Sequence, residues 1–583
     1  MVRSQNGNAF YAVGLNLQMS RLSRRELWLA GLGSAAFGLA FSYPLFAHFT
    51  RIGHVWDWDQ FLQLEWVPYW SVAHFHQLPL WNPYLCGGLP MLADPQGRVL
   101  SPFFPLHLLF GPAVGIHLEI PFHLAFSFLG GYLLGRRQGL GVPGSVACAS
   151  GFPASSWFFL HIAVGHLWAF AWLWLPWVAL FVLIAVETRA LIWAILAGLI
   201  AALMFGEGGP YQTSHAVLLA ALLCLTLGAT RRSASPLVVL AAFATFAVGF
   251  AAIKLFPTYR LLQIYPRPTD ISLVDYKVRS LYVALFSRKQ DLWRPSIGGA
   301  AFYEYGAYVN PLAALLAMLG VVTSPKRLAP WIVAALFFIV MAAGEGGFPY
   351  AWQWLHAIPP FSSERVTPRF MVPFVFTLSV MAGYGADFLD RRFKRRGRAL
   401  ALVLIAIAIF DAWSVSVSNL GAVVEIDDPP ADGPAEFHQF ATGRPAVDMY
   451  PHTKSSNQGD PTCYGAFPVP TTVTGENEHG YKGEQYLLGT GSVRLDRWTP
   501  NRLSYEVDAP APTAMVVNQN YDAYWQVVKG KGEVFSSDGL LAVRLLPGAQ
   551  HLELAYRSTA FTFGAVVTLL TCVAAFLLRS AEF

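Results

Sequence analysis

Long apolar runs, broken at short intervals by arginine and lysine, set the pattern of this chain. Twelve runs reach spanning length, near 26–49, 113–135, 144–163, 167–187, 190–206, 211–230, 235–256, 306–323, 329–345, 369–389, 399–419 and 559–578. A helix needs roughly 20 apolar residues to cross a ~30 Å hydrocarbon layer, which the shorter runs only just supply. Basic residues fall in every second connection: Arg136 and Arg137, Arg189, Arg231 and Arg232, Lys326 and Arg327, and the run Arg391, Arg392, Lys394, Arg395, Arg396, Arg398. Arg21, Arg24 and Arg25 precede the first run, and Arg579 follows the last. With twelve spans all of these lie on one side, which the positive-inside rule makes cytoplasmic, both termini included. Eleven or thirteen spans would break the alternation. The first run is too long for a cleaved leader and reads as a retained anchor.

The expected organisation follows. Residues 1–25 form a cytoplasmic segment, 26–419 a membrane body, 420–558 an external domain, and 559–583 the last span and its tail. The body sends out the external connections 50–112, 257–305 and 346–368. The first of these passes through DQFLQLEWVPYW, a predicted interfacial helix, into SPFFPLHLLFGP, which is too short to span. Residues 420–558 change material. Gly, Pro and Asn turn clusters separate short alternating runs: RLSYEV (502–507), TAMVVNQ (513–519), YWQVVKG (524–530), LAVRLL (541–546) and HLELAY (551–556). These predict a β-sandwich or jelly-roll-like domain. The fold expected is a polytopic α-helical membrane protein of about 12 transmembrane helices with an external β-rich domain near the C-terminus.

Composition agrees with the pattern. The 583 residues are 55% hydrophobic and only 13% charged, against about 25% charged in soluble domains. The basic clusters are short and membrane-adjacent, so no nucleic-acid partner is expected. No P-loop or dinucleotide fingerprint is present. The five cysteines show no metal spacing. Cys86 and Cys463, the two on the external side, are candidates for a disulfide in an oxidising compartment.

Chemistry is expected where irregular external backbone meets the membrane body. Asp57 and Asp59, in His54-Val55-Trp56-Asp57-Trp58-Asp59-Gln60, offer a general base or a carboxylate pair for a divalent cation such as Mg or Mn. On a helix they diverge; they meet only on an extended or turned chain, or around a cation. The bland alternative is a solvated turn. Trp56, Trp58, Trp66 and Trp81 suit interface anchoring and stacking on sugar rings, with Gln60 and Asn82 beside them as polar contacts. Lys254, with Arg260 and Arg267 following, either snorkels to the headgroups or binds a lipid phosphate. Arg365 and Arg369 suit phosphate or carboxylate, or pair with Glu364. Glu207, Glu304 and Glu345 lie at or near external span ends and would orient an acceptor or pair with those arginines. His161 and His166 flank an external turn and are expected to be interfacial rather than metal ligands.

Taken in order, several stretches resemble one family. WDWDQFLQ followed by LPLWNPYLCGGLPMLADPQ, then GEGGPYQTSH, YEYGAYVNP, the run from Gly344 to Phe370, and VVNQNYDAYWQV with LLPGAQHLELAYRS are similar to the YfhO-like bacterial membrane proteins. The resemblance covers most of the chain and implies a GT-C type glycosyltransferase fold. It implies a polyprenyl-phosphate-linked sugar as donor and an acidic residue of the first external loop, Asp57 or Asp59 here, with Arg365 and Arg369 as the matching arginine pair. The reaction expected is sugar transfer to an external glycan, lipid or protein acceptor at a bacterial inner membrane, with the β domain periplasmic. A flippase for a lipid-linked sugar and a non-catalytic envelope scaffold are the competing readings.

Overall fold

The computed structural model describes residues 22–54, 56–266, 278–292, 301–344, 351–359, 361–431, 436–443, 448–463, 468–469 and 472–582. Its helices are α1 Arg24–Ser42, α2 Trp58–Ala73, α3 Phe104–Phe110, α4 Pro112–Arg137, α5 Val142–Ala154, α6 Ser156–Ala163, α7 Leu175–Thr188, α8 Leu191–Gly206 and α9 Pro210–Arg231. They continue as α10 Ser235–Ile264, α11 Val278–Phe286, α12 Phe302–Tyr305, α13 Pro311–Thr323, α14 Pro325–Ala342, α15 Ala351–His356, α16 Met371–Ser416, α17 Met449–Ser456 and α18 Thr559–Leu578. The strands are β1 Arg51–Ile52, β2 Trp81–Asn82, β3 Leu89–Pro90, β4 Ile426–Asp427, β5 His438–Gln439, β6 Gln458–Gly459 and β7 Gln485–Leu487. The last seven are β8 Ser492–Thr499, β9 Arg502–Ala509, β10 Thr513–Asn520, β11 Trp525–Lys529, β12 Gly532–Ser537, β13 Leu540–Leu545 and β14 Gly548–Tyr556.

Among the described residues nine helical stretches are long and apolar enough to cross a membrane. The twelve expected runs map onto them as follows. Thr367–Val423 carries two, because α16 breaks at Lys394, where φ is 50° and ψ −128°. The chain folds back there: a Cβ on Gly397 would strike the Leu389 carbonyl, and Arg398 reaches Asp390 at 3.6 Å. Two others are the shorter apolar helices α8 and α13. The latter starts later than expected because Asn310 caps it, its side chain accepting from the Leu312 N–H at 2.7 Å, with Pro311 at the first helical position.

The basic connections gather at one end of the bundle. Arg137 pairs with Glu187 at 2.7 Å, Arg391 donates to the Gly139 carbonyl at 2.5 Å, and the Leu191 N–H donates to Ala581 at 3.0 Å. The elaborate connections gather at the other. There β1 pairs with β4, and Cys86 is disulfide-bonded to Cys463. Helix α17 lies along α2, where Gln63 donates to Thr453 at 2.9 Å and the Lys454 ammonium sits over Trp66. Tyr84 of the first loop donates to Asn457 at 2.7 Å. The segment after α16 is thus strapped to the first loop.

The C-terminal β region contains two four-stranded sheets, ordered β12-β13-β10-β7 and β11-β14-β9-β8. Alternation along the strands turns Met515, Val517, Leu541 and Val543 of one sheet, and Leu503, Tyr505, Leu552 and Leu554 of the other, into one shared apolar cluster. Trp81 of the first loop belongs to that cluster, its ring against Trp525 and Tyr556, with its Nε1–H on Gln519 at 3.0 Å. The last helix, α18, packs on α10 where Gly564 lets the backbones meet, its Cβ space being filled by the Ala252 carbonyl.

Arg260, expected to bind phosphate, instead fastens this domain to the end of α10. It makes two hydrogen bonds to Asp522, at 2.8 and 3.1 Å, and lies over Tyr524. Asp522 is only 6% exposed. Arg260→Ala strands that buried carboxylate, with an expected cost of roughly 1.5–3 kcal/mol. The check is an earlier thermal transition in detergent, with Asp522→Asn losing less; an unchanged transition would mean that the pair is solvent-screened.

Candidate active site

The head of α2 is docked onto the turn that follows α6. The Asp57 N–H donates to the Val164 carbonyl at 3.1 Å, and the Trp58 Nε1–H to the Ala163 carbonyl at 3.0 Å. Gly165 makes room for this: its φ is +87°, and a Cβ would lie 2.6 Å from the Trp58 nitrogen. Trp56 adopts φ +62°, a left-handed conformation that costs a bulky residue on the order of 1–2 kcal/mol. That kink places Asp57, at the N-cap of α2, against the histidines of the turn.

Asp57 Oδ2 and His166 Nε2 are 3.0 Å apart, and His166 Nδ1 lies 2.9 Å from His161 Nδ1. The His161, His166 and Glu304 ligand atoms all fall within 4.8 Å of one another. Glu304 is clamped by Arg369, whose Nε and Nη2 donate to its two oxygens at 2.8 and 2.7 Å. Burial would raise the Glu304 carboxyl, but the Arg369 guanidinium outweighs it and holds the group down at about 2. The guanidinium lies over Trp168 at 4.4 Å and near Tyr211 at 5.6 Å. His166 stacks on Trp168, and Tyr303 stands edge-on to both His166 and Trp56. Trp56 is 41% exposed.

Two imidazoles and one carboxylate, from His161, His166 and Glu304, make a donor set suited to a divalent ion of the zinc type more than to Mg, which prefers oxygen alone. The expected carboxylate pair does not form. Asp59, two residues on, points the other way, and its Oδ2 accepts the Met449 N–H at 3.2 Å at the head of α17. Burial raises its carboxyl from the usual 3.8 to about 6, against the nearby His54.

Other expected site residues are also placed elsewhere. Trp58 is buried on Ala163, and Gln60 is buried in the first turn of α2. Trp81 sits in the β-domain core, and Asn82 closes a turn by accepting the Tyr84 N–H at 3.0 Å. Trp66 packs on Tyr69 and Trp70 of its own helix and edge-on to Tyr450. Lys254 lies well inside α10, its ammonium held by the carbonyls of Pro95, Gly97 and Phe205 at 3.1, 2.6 and 3.1 Å. Glu207 accepts from Trp174 at 3.0 Å and contacts His123 at 3.0 Å. It belongs to a buried ionic cluster in which Arg98 pairs with Glu65 and Glu119, and His107 bridges the same two carboxylates at 3.1 and 2.7 Å. Burial would depress the His107 imidazolium, but Glu119 and Glu65 hold it up at about 9. Glu345 and Arg267 lie outside the described residues. Arg365 is half-buried and has no ion-pair partner among the described residues.

His161, His166, Tyr303, Trp168 and Tyr211 were not legible as a site. The signal lay in the paired histidines bracketing the turn 162–165, and it gains meaning only once Glu304 is brought over them.

No protein-family model matches the sequence, and no curated protein matches it. Solved structures similar to the chain include arabinofuranosyltransferase AftD from mycobacteria, at 16% identity and TM-score 0.48, covering 72% of this chain and 28% of that one. The Archaeoglobus fulgidus oligosaccharyltransferase is similar at 11% identity and TM-score 0.44, covering 76% and 65%. ArnT from Cupriavidus metallidurans, bound to undecaprenyl phosphate, is similar at 12% identity and TM-score 0.43, covering 73% and 85%. The chain thus spans less than two thirds of the length of the first two.

The Asp59 carboxyl gives a pH test. Its raised value means that folding takes up a proton between 3.8 and about 6. Stability therefore falls as pH rises through that window, by at most about 1.4 kcal/mol per pH unit, and levels off above it. Asp59→Asn keeps an acceptor for the Met449 N–H and removes the buried charge. Its thermal midpoint should exceed that of wild type near neutral pH, the gap closing near pH 4; coincident midpoints at neutral pH would show that Asp59 is hydrated.

Proposed function

We propose that the chain is a membrane glycosyltransferase of the GT-C type, transferring a sugar from a polyprenyl-phosphate donor to a hydroxyl acceptor at the external surface. The observation that carries this reading is the convergence of Asp57, His166, His161, Glu304 and Arg369 at one point of the loop-bearing end. The donor class comes from the sequence resemblance, which the site chemistry accommodates.

Asp57 acts as the base. It takes the proton of the acceptor hydroxyl as that oxygen bonds to the anomeric carbon. The bond from this carbon to the phosphate oxygen breaks, and the electron pair leaves on the lipid phosphate. His166, backed by His161, fixes the Asp57 carboxylate and shares its charge. Arg369 is already neutralised by Glu304, so the leaving phosphate calls on Arg365, four residues earlier. A divalent ion held by His161, His166 and Glu304 would add charge neutralisation beside that base. The bland reading of Asp57 as a solvated turn does not explain a carboxylate only 21% exposed and held by a buried imidazole.

The competing flippase reading would use mobile charges in the bundle. The buried charges seen here are fixed instead: Arg98, Lys254 and His107 each contact two or more protein oxygens.

Purified protein in nanodiscs, given a panel of polyprenyl-phosphate sugars, tests the proposal. Asp57→Asn should lower turnover by about 100-fold or more, while Asp59→Asn retains turnover within a few-fold. Equal loss in both variants would return the pair to a shared role, and no turnover by well-folded wild type with any donor would sink the transferase reading. Loss on chelation, restored by zinc, would assign the ion.

A further inference from the structure

Behind the arginines lies a group of polar atoms that the protein does not satisfy. Gln212, in the first turn of α9, is 1% exposed, and both its amide oxygen and its amide nitrogen lack a hydrogen-bond partner. Three residues on, His215 contacts Glu364 Oε1 at 2.8 Å, while Glu364 Oε2 has no partner, although the residue is fully buried. Thr367 Oγ1, 3% exposed, is unpartnered as well. These four atoms come from two elements only, the first turns of α9 and the 361–370 turn. Tyr211 Oη donates across the same contact to the Ser363 carbonyl at 2.6 Å. The 361–370 turn also carries Arg365 and Arg369, and Tyr211 lies against the Arg369 guanidinium.

Leaving such groups dry costs about 1–3 kcal/mol each, and folded proteins avoid it unless something else meets the need. His215, between them, is fully paired: its two ring nitrogens reach Glu364 and the Trp172 indole. The unpartnered set is one carboxamide, one carboxylate oxygen and one hydroxyl. It offers both donors and acceptors. That combination suits adjacent hydroxyl groups, which both donate and accept.

We propose that Gln212, Glu364 and Thr367 form the subsite that reads the hydroxyls of the donor sugar, with the phosphate on the Arg365 side of the turn. The inference rests on the transferase reading and adds what that reading lacks, a determinant of which sugar is used. The alternative role for these atoms is to hold structural water. Admitting a sugar there requires the 361–370 turn to part from α9, breaking the Tyr211–Ser363 and His215–Glu364 hydrogen bonds.

Binding is measured first, independently of turnover. Wild type and Gln212→Leu are titrated with polyprenyl-phosphate sugar and with polyprenyl phosphate alone, by thermal shift in nanodiscs. Wild type should prefer the glycosylated lipid. Gln212→Leu should lose that preference by about tenfold or more, while binding polyprenyl phosphate as wild type does. Gln212→Glu, which keeps an acceptor, should recover part of it. A Gln212→Leu protein that keeps full sugar preference overturns the subsite, as does one that loses affinity for both lipids equally, the mark of a structural water site. Should leucine prevent folding, Thr367→Val gives the same comparison. Absence of affinity for either lipid in wild type would count against the donor assignment instead, separating that failure from this one.

Discussion

The site depends on one ion pair. Arg369 joins the start of α16 to Glu304 just before α13, and its flat face is laid on Trp168 from the turn between α6 and α7. Three segments far apart in sequence are held by one guanidinium. An arginine serves here where a lysine would not, because two parallel donors match two carboxylate oxygens while the face stays free to stack. Both partners are nearly dry, so removing either would leave a buried uncompensated charge, a far larger penalty than the net worth of the pair. The pair is thus better read as a constraint on geometry than as a source of stability. It fixes Glu304 beside the histidines, and the histidines in turn fix Asp57.

The second constraint is the opposite facing of Asp57 and Asp59. The α2 helix separates them, and the separation gives each a different task. Asp57, at the helix head, meets the turn after α6; Asp59 meets the N-terminus of α17, where a carboxylate suits the unpaired N–H groups. One short helix therefore joins the membrane-side site to the segment that follows α16. The Cys86–Cys463 disulfide and the β1–β4 pair add covalent and backbone links at the same junction. The position of Asp57 depends in this way on an element nearly 400 residues later in the chain.

How much of this was legible in the sequence differs between bundle and site. The apolar runs and the alternating basic connections follow from local composition, so the helices and their two ends could be read directly. The strands between 485 and 556 were legible for the same reason, since period-two alternation is local. Trp81 was not, because an indole in an exposed loop looks the same whether it meets a sugar or plugs a β domain. Lys254 misled in a similar way. Its distance from the helix end decides between snorkelling and burial, and α10 runs to Ile264, beyond the expected end near 256. In sequence Arg260 reads as a phosphate ligand, because nothing near it announces Asp522.

The histidines make the point most sharply. Spaced five apart across a turn, His161 and His166 have no helical register that would mark them as a ligand pair, and alone they suit an interface. Their meaning comes from Glu304, about 140 residues away, and from the choice of Asp57 over Asp59, which only the direction of α2 decides. Sites of this kind are assembled from loop ends, each contributing one side chain. Their residues therefore carry no local period and no motif, and what identifies them is the set of buried charges that must find each other when the bundle closes. Asp57, His166 and His161 do find each other, as do Glu304 and Arg369, and the His161, His166 and Glu304 ligand atoms lie within 4.8 Å of one another; the neighbouring Gln212, Glu364 and Thr367 leave atoms over. The difference between satisfied groups and an unsatisfied neighbour is the physical ground on which we propose chemistry for the first and recognition for the second.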